Sequence, residues 1–142
     1  MKVICITGTP STGKTFLSKK LTKRLNYYYL DVNKIIKKYK LSEGYDRKRK
    51  TKIVDIEKLV KFLILEIKNF KNKKGIIIDS HLSHYLPKKY VDLCIVTKCD
   101  LNVLKKRLKK KKYNKTKIRE NLDAEIFDIC LNEAKESGHK VI

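Results

Sequence analysis

Val3-Ile4-Cys5-Ile6-Thr7-Gly8-Thr9-Pro10-Ser11-Thr12-Gly13-Lys14-Thr15 is the stretch from which the rest of the chain is read. Its first half is almost wholly apolar, the pattern of a strand covered on both faces. Its second half fits Gly-x-x-x-x-Gly-Lys-[Ser/Thr], a phosphate-binding loop. Gly8 and Gly13 let the backbone turn back and present N–H groups to phosphate oxygens. Leu17, Leu21 and Leu25 then recur every four residues, a helical stripe, and that helix adds the positive end of its dipole. In such a loop Ser11, Thr12, Gly13, Lys14 and Thr15 surround a triphosphate. Lys14 places a cation on the β and γ phosphates, and the Thr15 hydroxyl is a Mg²⁺ ligand. A ligand-free glycine turn is the alternative, and the strand before and helix after weigh against it.

Working outward, Tyr27–Leu30 reads as a strand with Asp31 at its end, and Lys34–Tyr39 as a short helix. Lys40–Lys52 is polar, contains Gly44 and reads as a mobile segment. Ile56, Leu59, Val60, Leu63, Ile64 and Ile67 mark a long helix within Val54–Phe70. Gly75–Asp79 and Val91–Thr97 are strands; Asp100 is placed to cap a helix carrying Leu101, Leu104 and Leu108. A further helix puts Ile118, Leu122, Ile126, Ile129 and Cys130 on one face, and Lys140–Ile142 begins a fifth strand. Strands alternating with helices give an α/β domain with a parallel sheet of about five strands, helices on both faces. The chain stops as the last strand begins, so either it is truncated or that sheet edge is covered some other way.

A chain of 142 residues holds one domain and buries roughly 70% of its unfolded surface, enough for a core without staples. No charged-then-apolar leader and no membrane-length apolar run is present, so a soluble, cytoplasmic protein is expected. Cys5, Cys94, Cys99 and Cys130 form no Cys-x-x-Cys pair and read as free thiols packed as small hydrophobes. The net charge of +21 points to a polyanionic partner such as RNA. With 31 Lys among the 36 basic residues, a compositional bias of the exposed positions explains the same charge.

Asp79 closes an Ile-Ile-Ile-Asp strand, where a carboxylate beside the loop can hold Mg²⁺ or, alternatively, serve as a turn or cap residue. His81 lies two residues on, within reach of a γ-phosphate or an attacking water, or is a loop residue without chemistry; His139 reads as surface. No Asn-Lys-x-Asp pattern follows the loop, which argues against a GTPase. The basic run Arg107–Tyr113 reads either as a solvated loop or as a lid that brings cations to a transferring phosphoryl group. There is no aromatic strand pattern of the kind that stacks RNA bases.

The ordered set of pieces resembles the adenylate kinase isoenzyme 6 family over essentially the whole chain. They are Gly8-Thr9-Pro10 with Gly13-Lys14-Thr15, Gly44-Tyr45-Asp46, Ile53-Val54-Asp55, Asp79-x-His81, Leu86-Pro87 with Val91-Asp92, Val103-Leu104 with Arg107-Leu108, Tyr113, Lys117, Glu120-Asn121 and Ala124-Glu125-Ile126. The resemblance implies a Rossmann-like P-loop kinase core with a monophosphate-binding segment at about 31–54 and a lid at about 110–120. It implies Mg·ATP as donor, AMP or a related nucleoside monophosphate as acceptor, and some ATPase activity. It further implies Lys14, Asp79, His81 and Lys111 as catalytic, Phe16 and Lys111 beside the loop residues on ATP, Thr15 and Asp79 on Mg²⁺, and Asp31, Asn33, Lys37, Tyr45 and Asp46 on the acceptor. A role in small-subunit ribosome maturation, with a ribosomal protein of the uS11 type and pre-ribosomal RNA as partners, is implied as well. An ATP-switched assembly factor with little kinase activity is the rival reading. Five positions depart from the family pattern: Ser11 stands for Gly, Phe16 for Thr, Lys37 for Arg, and Lys111-Lys112 for Arg-Gly. Lysine keeps the charge without the bidentate fork.

Overall fold

The computed structural model of the chain describes residues 1–46, 51–70 and 74–142. In chain order the elements are β1 (Lys2–Gly8), α1 (Lys14–Leu25), β2 (Tyr28–Asp31), α2 (Val32–Lys38), β3 (Ser42–Asp46), β4 (Thr51–Val54), α3 (Ile56–Asn69), β5 (Gly75–Asp79), β6 (Leu93–Thr97), α4 (Leu101–Lys110), α5 (Lys115–Ile126) and α6 (Ile129–Glu136). Two single turns of 3₁₀ helix, Ser83–Tyr85 and Lys88–Tyr90, separate β5 from β6. Among the described residues no helix is long and apolar enough to cross a membrane.

Four strands form a parallel sheet in the order β2-β5-β1-β6. The expected fifth position is a single bridge: Val141 pairs with Cys94, and Cys94 and Val96 donate to the carbonyls of Lys140 and Ile142. The chain leaves β1 toward one side of the sheet and returns to the other side at β6. A crevice at the carboxyl ends of the strands follows from that reversal. The register sets Asp31 beside Asp79, Ile6 beside Asp79 and Gly8 beside Thr97, so the acidic strand ends and the glycine loop share one edge.

Strand alternation divides the core between the two faces. Val3, Cys5, Leu30, Ile76, Ile78 and Cys94 pack with Leu59, Leu63 and Ile67 of α3 and Ala134 of α6. The intervening Ile6 and Ile77 are also fully buried, as are Leu104 and Leu108 of α4. Every residue of β5 is buried, as its unbroken apolar run requires. All four cysteines are free. Burial pushes the Cys5 thiol up and the Cys94 thiol to about 11, so both behave as apolar filling at neutral pH.

The structure corrects several expectations. The segment read as mobile, 40–52, contains the antiparallel pair β3 and β4, with a register irregularity between Ser42 and Gly44. The long helix starts at Ile56 because the Asp55 carboxylate accepts from the N–H groups of Glu57 and Lys58, a side-chain cap. The single late helix is two: Asp128 adopts a left-handed φ of 51° between α5 and α6, a conformation that Asp tolerates better than most residues. His139 is buried, not superficial, and its Nε2 lies 2.8 Å from the His84 carbonyl oxygen. On α1 the leucine stripe is only half-covered. Its buried residue is Ser18, small enough for the helix to lie close on the sheet, while Leu25 is exposed.

Candidate active site

The loop between β1 and α1 is held from behind by side chains. Thr12 Oγ1 donates to the Thr9 carbonyl at 2.6 Å and lies 2.6 Å from Thr97 Oγ1, whose hydroxyl in turn donates to the Thr7 carbonyl. Thr9 Oγ1 donates to the buried Glu125 carboxylate of α5 at 3.2 Å, and the other oxygen of Glu125 accepts from the Cys99 N–H at 2.7 Å. Arg107 of α4 donates to the Ser11 carbonyl at 3.1 Å. A Cβ on Gly8 (φ 143°) would sit 2.4 Å from Thr97 Oγ1, so only glycine lets the loop pass β6. Gly13 (φ 96°) supplies the left-handed turn that opens α1. Ser11 is also left-handed (φ 72°), and its hydroxyl is buried without a hydrogen-bond partner. A glycine at this position would meet neither penalty.

At the front of the loop Lys14 Nζ donates to the Thr9 carbonyl at 3.0 Å, folding back across the turn. Burial, helped by the Lys111 cation, lowers its pKa from 10.5 to about 8 against the opposing pull of Asp79, Cys130 and Glu125. Thr15 Oγ1 donates to Asp79 Oδ2 at 2.8 Å, which joins the two side chains expected on Mg²⁺. A hydroxyl and a carboxylate are the hard oxygen donors that Mg²⁺ prefers, with phosphates and water filling its remaining positions. Among the described residues no three His, Cys, Asp or Glu side chains cluster to hold an ion unaided. The Thr15–Asp79 pair fits an ion whose remaining ligands are phosphate oxygens and water.

These groups line one cleft of about 1110 Å³. Thr9, Ser11, Gly13, Lys14, Thr15 and Phe16 form its floor. Asp31, Asn33 and Lys34 line the α2 side, and Arg107, Lys111, Tyr113, Lys117, Glu120 and Asn121 the opposite, α4–α5 side. Residues 110–120, where a lid is expected, fall on the end of α4, the turn after it and the first half of α5. Asn114 caps α5 through the Lys117 N–H at 2.8 Å, and Lys117 Nζ stands 4.0 Å from the centre of the Tyr113 ring. Burial, then Lys111, lowers the Lys117 pKa. Phe16 is 75% exposed and brings no hydroxyl to the floor.

Among the residues expected on the acceptor, Asp31 also caps α2, accepting from the Asn33 N–H at 2.9 Å. Lys37 lies a turn beyond the cleft lining, where Lys34 stands instead. Tyr45 and Asp46 fall on β3, and their side chains lie outside what the structure describes. His81 lines the cleft. Desolvation by the surrounding protein, with repulsion from Lys14, His84 and Lys117, lowers its pKa to about 4, so the imidazole is neutral at pH 7 although solvent reaches it.

Sequence reasoning did not single out Tyr29, Tyr85 or Glu133 as site residues, whereas Arg107 and Lys117 entered it only as members of the basic run and the expected lid segment. Tyr29 donates to Asp79 Oδ2 at 2.7 Å, and burial, then Asp79, raises its phenol pKa. Tyr85 donates a short hydrogen bond to Glu133, and Glu133 lies 3.6 Å from Nε2 of the buried His84. His84 Nδ1 in turn lies 2.6 Å from the hydroxyl of Thr7, directly before the loop. The parity of Tyr29 with Asp31 on one strand was the available signal for the first of these.

The AAA domain family matches residues 4–128. A protein of Methanocaldococcus jannaschii that carries an adenylate kinase name is 42% identical over 138 residues, covering 97% of this chain and 75% of that protein. The adenylate kinase isoenzyme 6 homolog of Dictyostelium discoideum is 35% identical over 134 residues, covering 94% and 74%. The chain belongs to the adenylate kinase isoenzyme 6 family. Shikimate kinase from Acinetobacter baumannii shares the fold, with a TM-score of 0.64 at 15% identity over 100% of this chain and 83% of that one. Within this family fold, the loop, Asp79 and the flanking α2 and α4–α5 walls occupy one continuous cleft at the carboxyl edge of the sheet.

Proposed function

We propose that the protein transfers the γ-phosphoryl group of Mg·ATP to AMP or a related nucleoside monophosphate. The observation that carries this reading is the Thr15–Asp79 contact beside Lys14, set in a cleft with a second polar wall opposite the lid. The loop amides and Lys14 hold the β and γ phosphates, and the Lys14 cation exchanges its Thr9 carbonyl for phosphate oxygens. Thr15 and Asp79 hold Mg²⁺, which neutralises charge on the phosphates when bound. Lys111, with Lys117 and Arg107, faces the phosphates from the lid side, while Asp31, Asn33 and Lys34 orient the acceptor. Neutral His81 is a hydrogen-bonding group rather than a cation, suited to orienting the attacking oxygen. No covalent intermediate on the protein is needed.

The test is ADP release from Mg·ATP with and without AMP, CMP or dAMP, in the wild type and in Lys14→Ala. Strong acceptor dependence and a loss of about 10³-fold or more in the variant are expected; near-normal turnover in Lys14→Ala would refute the assignment. A second reading rests on the net charge of +21: an ATPase that switches binding to a uS11-type ribosomal protein or to pre-ribosomal RNA. Acceptor-independent hydrolysis stimulated by those components favours it.

A further inference from the structure

Asp79 has two hydroxyl partners, and only one belongs to the phosphate loop. Oδ2 accepts from Thr15 Oγ1 at 2.8 Å and from the Tyr29 phenol at 2.7 Å. Tyr29 comes from β2, the strand beyond β5, and its Cα pairs with Ile77, two residues before Asp79. Side chains on paired residues of parallel strands share a face, and residues two apart on one strand share it too. The phenol therefore lies along the face that carries Asp79 and reaches the carboxylate from the β2 side. Tyr29 also stands against Thr15 and lines the cleft, so its hydroxyl belongs to the site.

A carboxylate on a terminal torsion is free to rotate, since such sp³–sp² torsions have broad wells. Two donors converging on one oxygen remove that freedom. With Thr15 alone, the carboxylate would be tied only to the residue with which it must share a metal. With Tyr29 added, it is tied to the rigid sheet. We propose that Tyr29 is a positioning residue for the metal pair: it fixes the Asp79 carboxylate so that the Thr15–Asp79 arrangement exists before Mg·nucleotide arrives. Such outer partners of metal-holding carboxylates generally contribute 10- to 100-fold to metal affinity. The proposal rests on the Mg·nucleotide reading of the loop.

Tyr29→Phe removes the hydroxyl and keeps the ring. ATP affinity is measured by calorimetry without metal and across a Mg²⁺ series, and Mn²⁺ bound in the presence of ATP is counted by electron paramagnetic resonance. The variant is expected to need about tenfold more Mg²⁺ for half its gain in ATP affinity, and to hold Mn²⁺ correspondingly more weakly. Its metal-free ATP affinity should fall less than its Mg²⁺-dependent affinity. In an Asp79→Ala background the same substitution should change none of these. An unchanged or strengthened metal response overturns the proposal. So does an equal loss with and without metal, which marks a merely structural tyrosine. If the wild type itself shows no Mg²⁺-linked ATP affinity, the loop reading fails and takes the proposal with it; a linked wild type with a variant that behaves identically removes the Tyr29 role alone.

Discussion

Raising the pH from 7 to 9 should weaken ATP binding through Lys14. Burial holds its pKa near 8 in the free protein against an ordinary 10.5, a depression equivalent to about 3 kcal/mol. A triphosphate replaces the Thr9 carbonyl with full negative charge and favours the ammonium, so binding takes up a proton wherever the free protein has lost one. With a free pKa of about 8, roughly one-tenth of the protein is protonated at pH 9, and the apparent Kd rises about tenfold over its value at pH 7. Calorimetry at pH 9 in two buffers of different ionisation enthalpy should show uptake of close to one proton, falling to about a tenth at pH 7. Lys14→Ala should bind weakly at both pH values with no such difference. The same linkage acts on folding: the unfolded chain holds the Lys14 proton up to 10.5, so this residue makes stability rise with pH between about 8 and 10.5. A Kd that is flat from pH 7 to 9, with no proton uptake, would show that Lys14 is not the phosphate cation or is not desolvated.

Three further outcomes are expected. Ser11→Gly removes a left-handed non-glycine residue, worth about 1–2 kcal/mol, and an unpartnered buried hydroxyl, against about 0.5–1 kcal/mol of added chain entropy. Tm should rise by about 3–6 °C in a thermal scan, and no rise would mean that Ser11 relaxes in solution. Asp79→Asn should leave metal-free ATP binding nearly intact while weakening its Mg²⁺ dependence, measured as affinity against Mg²⁺ concentration; an unchanged metal response contradicts the site. Glu125→Ala strands the Thr9 hydroxyl and the Cys99 N–H, and a loss of about 1–3 kcal/mol in denaturant unfolding should accompany weaker ATP binding. Stability equal to the wild type would mean that the brace between α5 and the loop is redundant.

What was legible in the sequence is what backbone geometry dictates locally. Gly8 and Gly13 announce positive φ, Lys14 and Thr15 follow at fixed offsets, and an all-apolar β5 ending in Asp79 can only be a central strand. What was not legible depends on partners far along the chain. Tyr29 reads as one more strand aromatic until the register of β2 on β5 brings its hydroxyl to Asp79. His139 reads as a surface polar residue until the His84 carbonyl gives it a buried partner. The break between α5 and α6 carries no Gly or Pro signal, because Asp128 turns the chain with an ordinary side chain in a left-handed conformation. On α1 the leucine periodicity marked a helix correctly but named the wrong contact, since close approach to the sheet falls to Ser18. Strands β3 and β4 lie in a mostly polar segment and are identified by their antiparallel pairing rather than by hydrophobic alternation.

The decisive measurement follows the γ-phosphorus of labelled ATP in the presence of Mg²⁺ and AMP. The label should appear in a nucleoside diphosphate made from the acceptor, at a rate that rises with AMP and vanishes in Lys14→Ala. Label found only in inorganic phosphate, at a rate indifferent to AMP, would contradict phosphoryl transfer to a nucleotide.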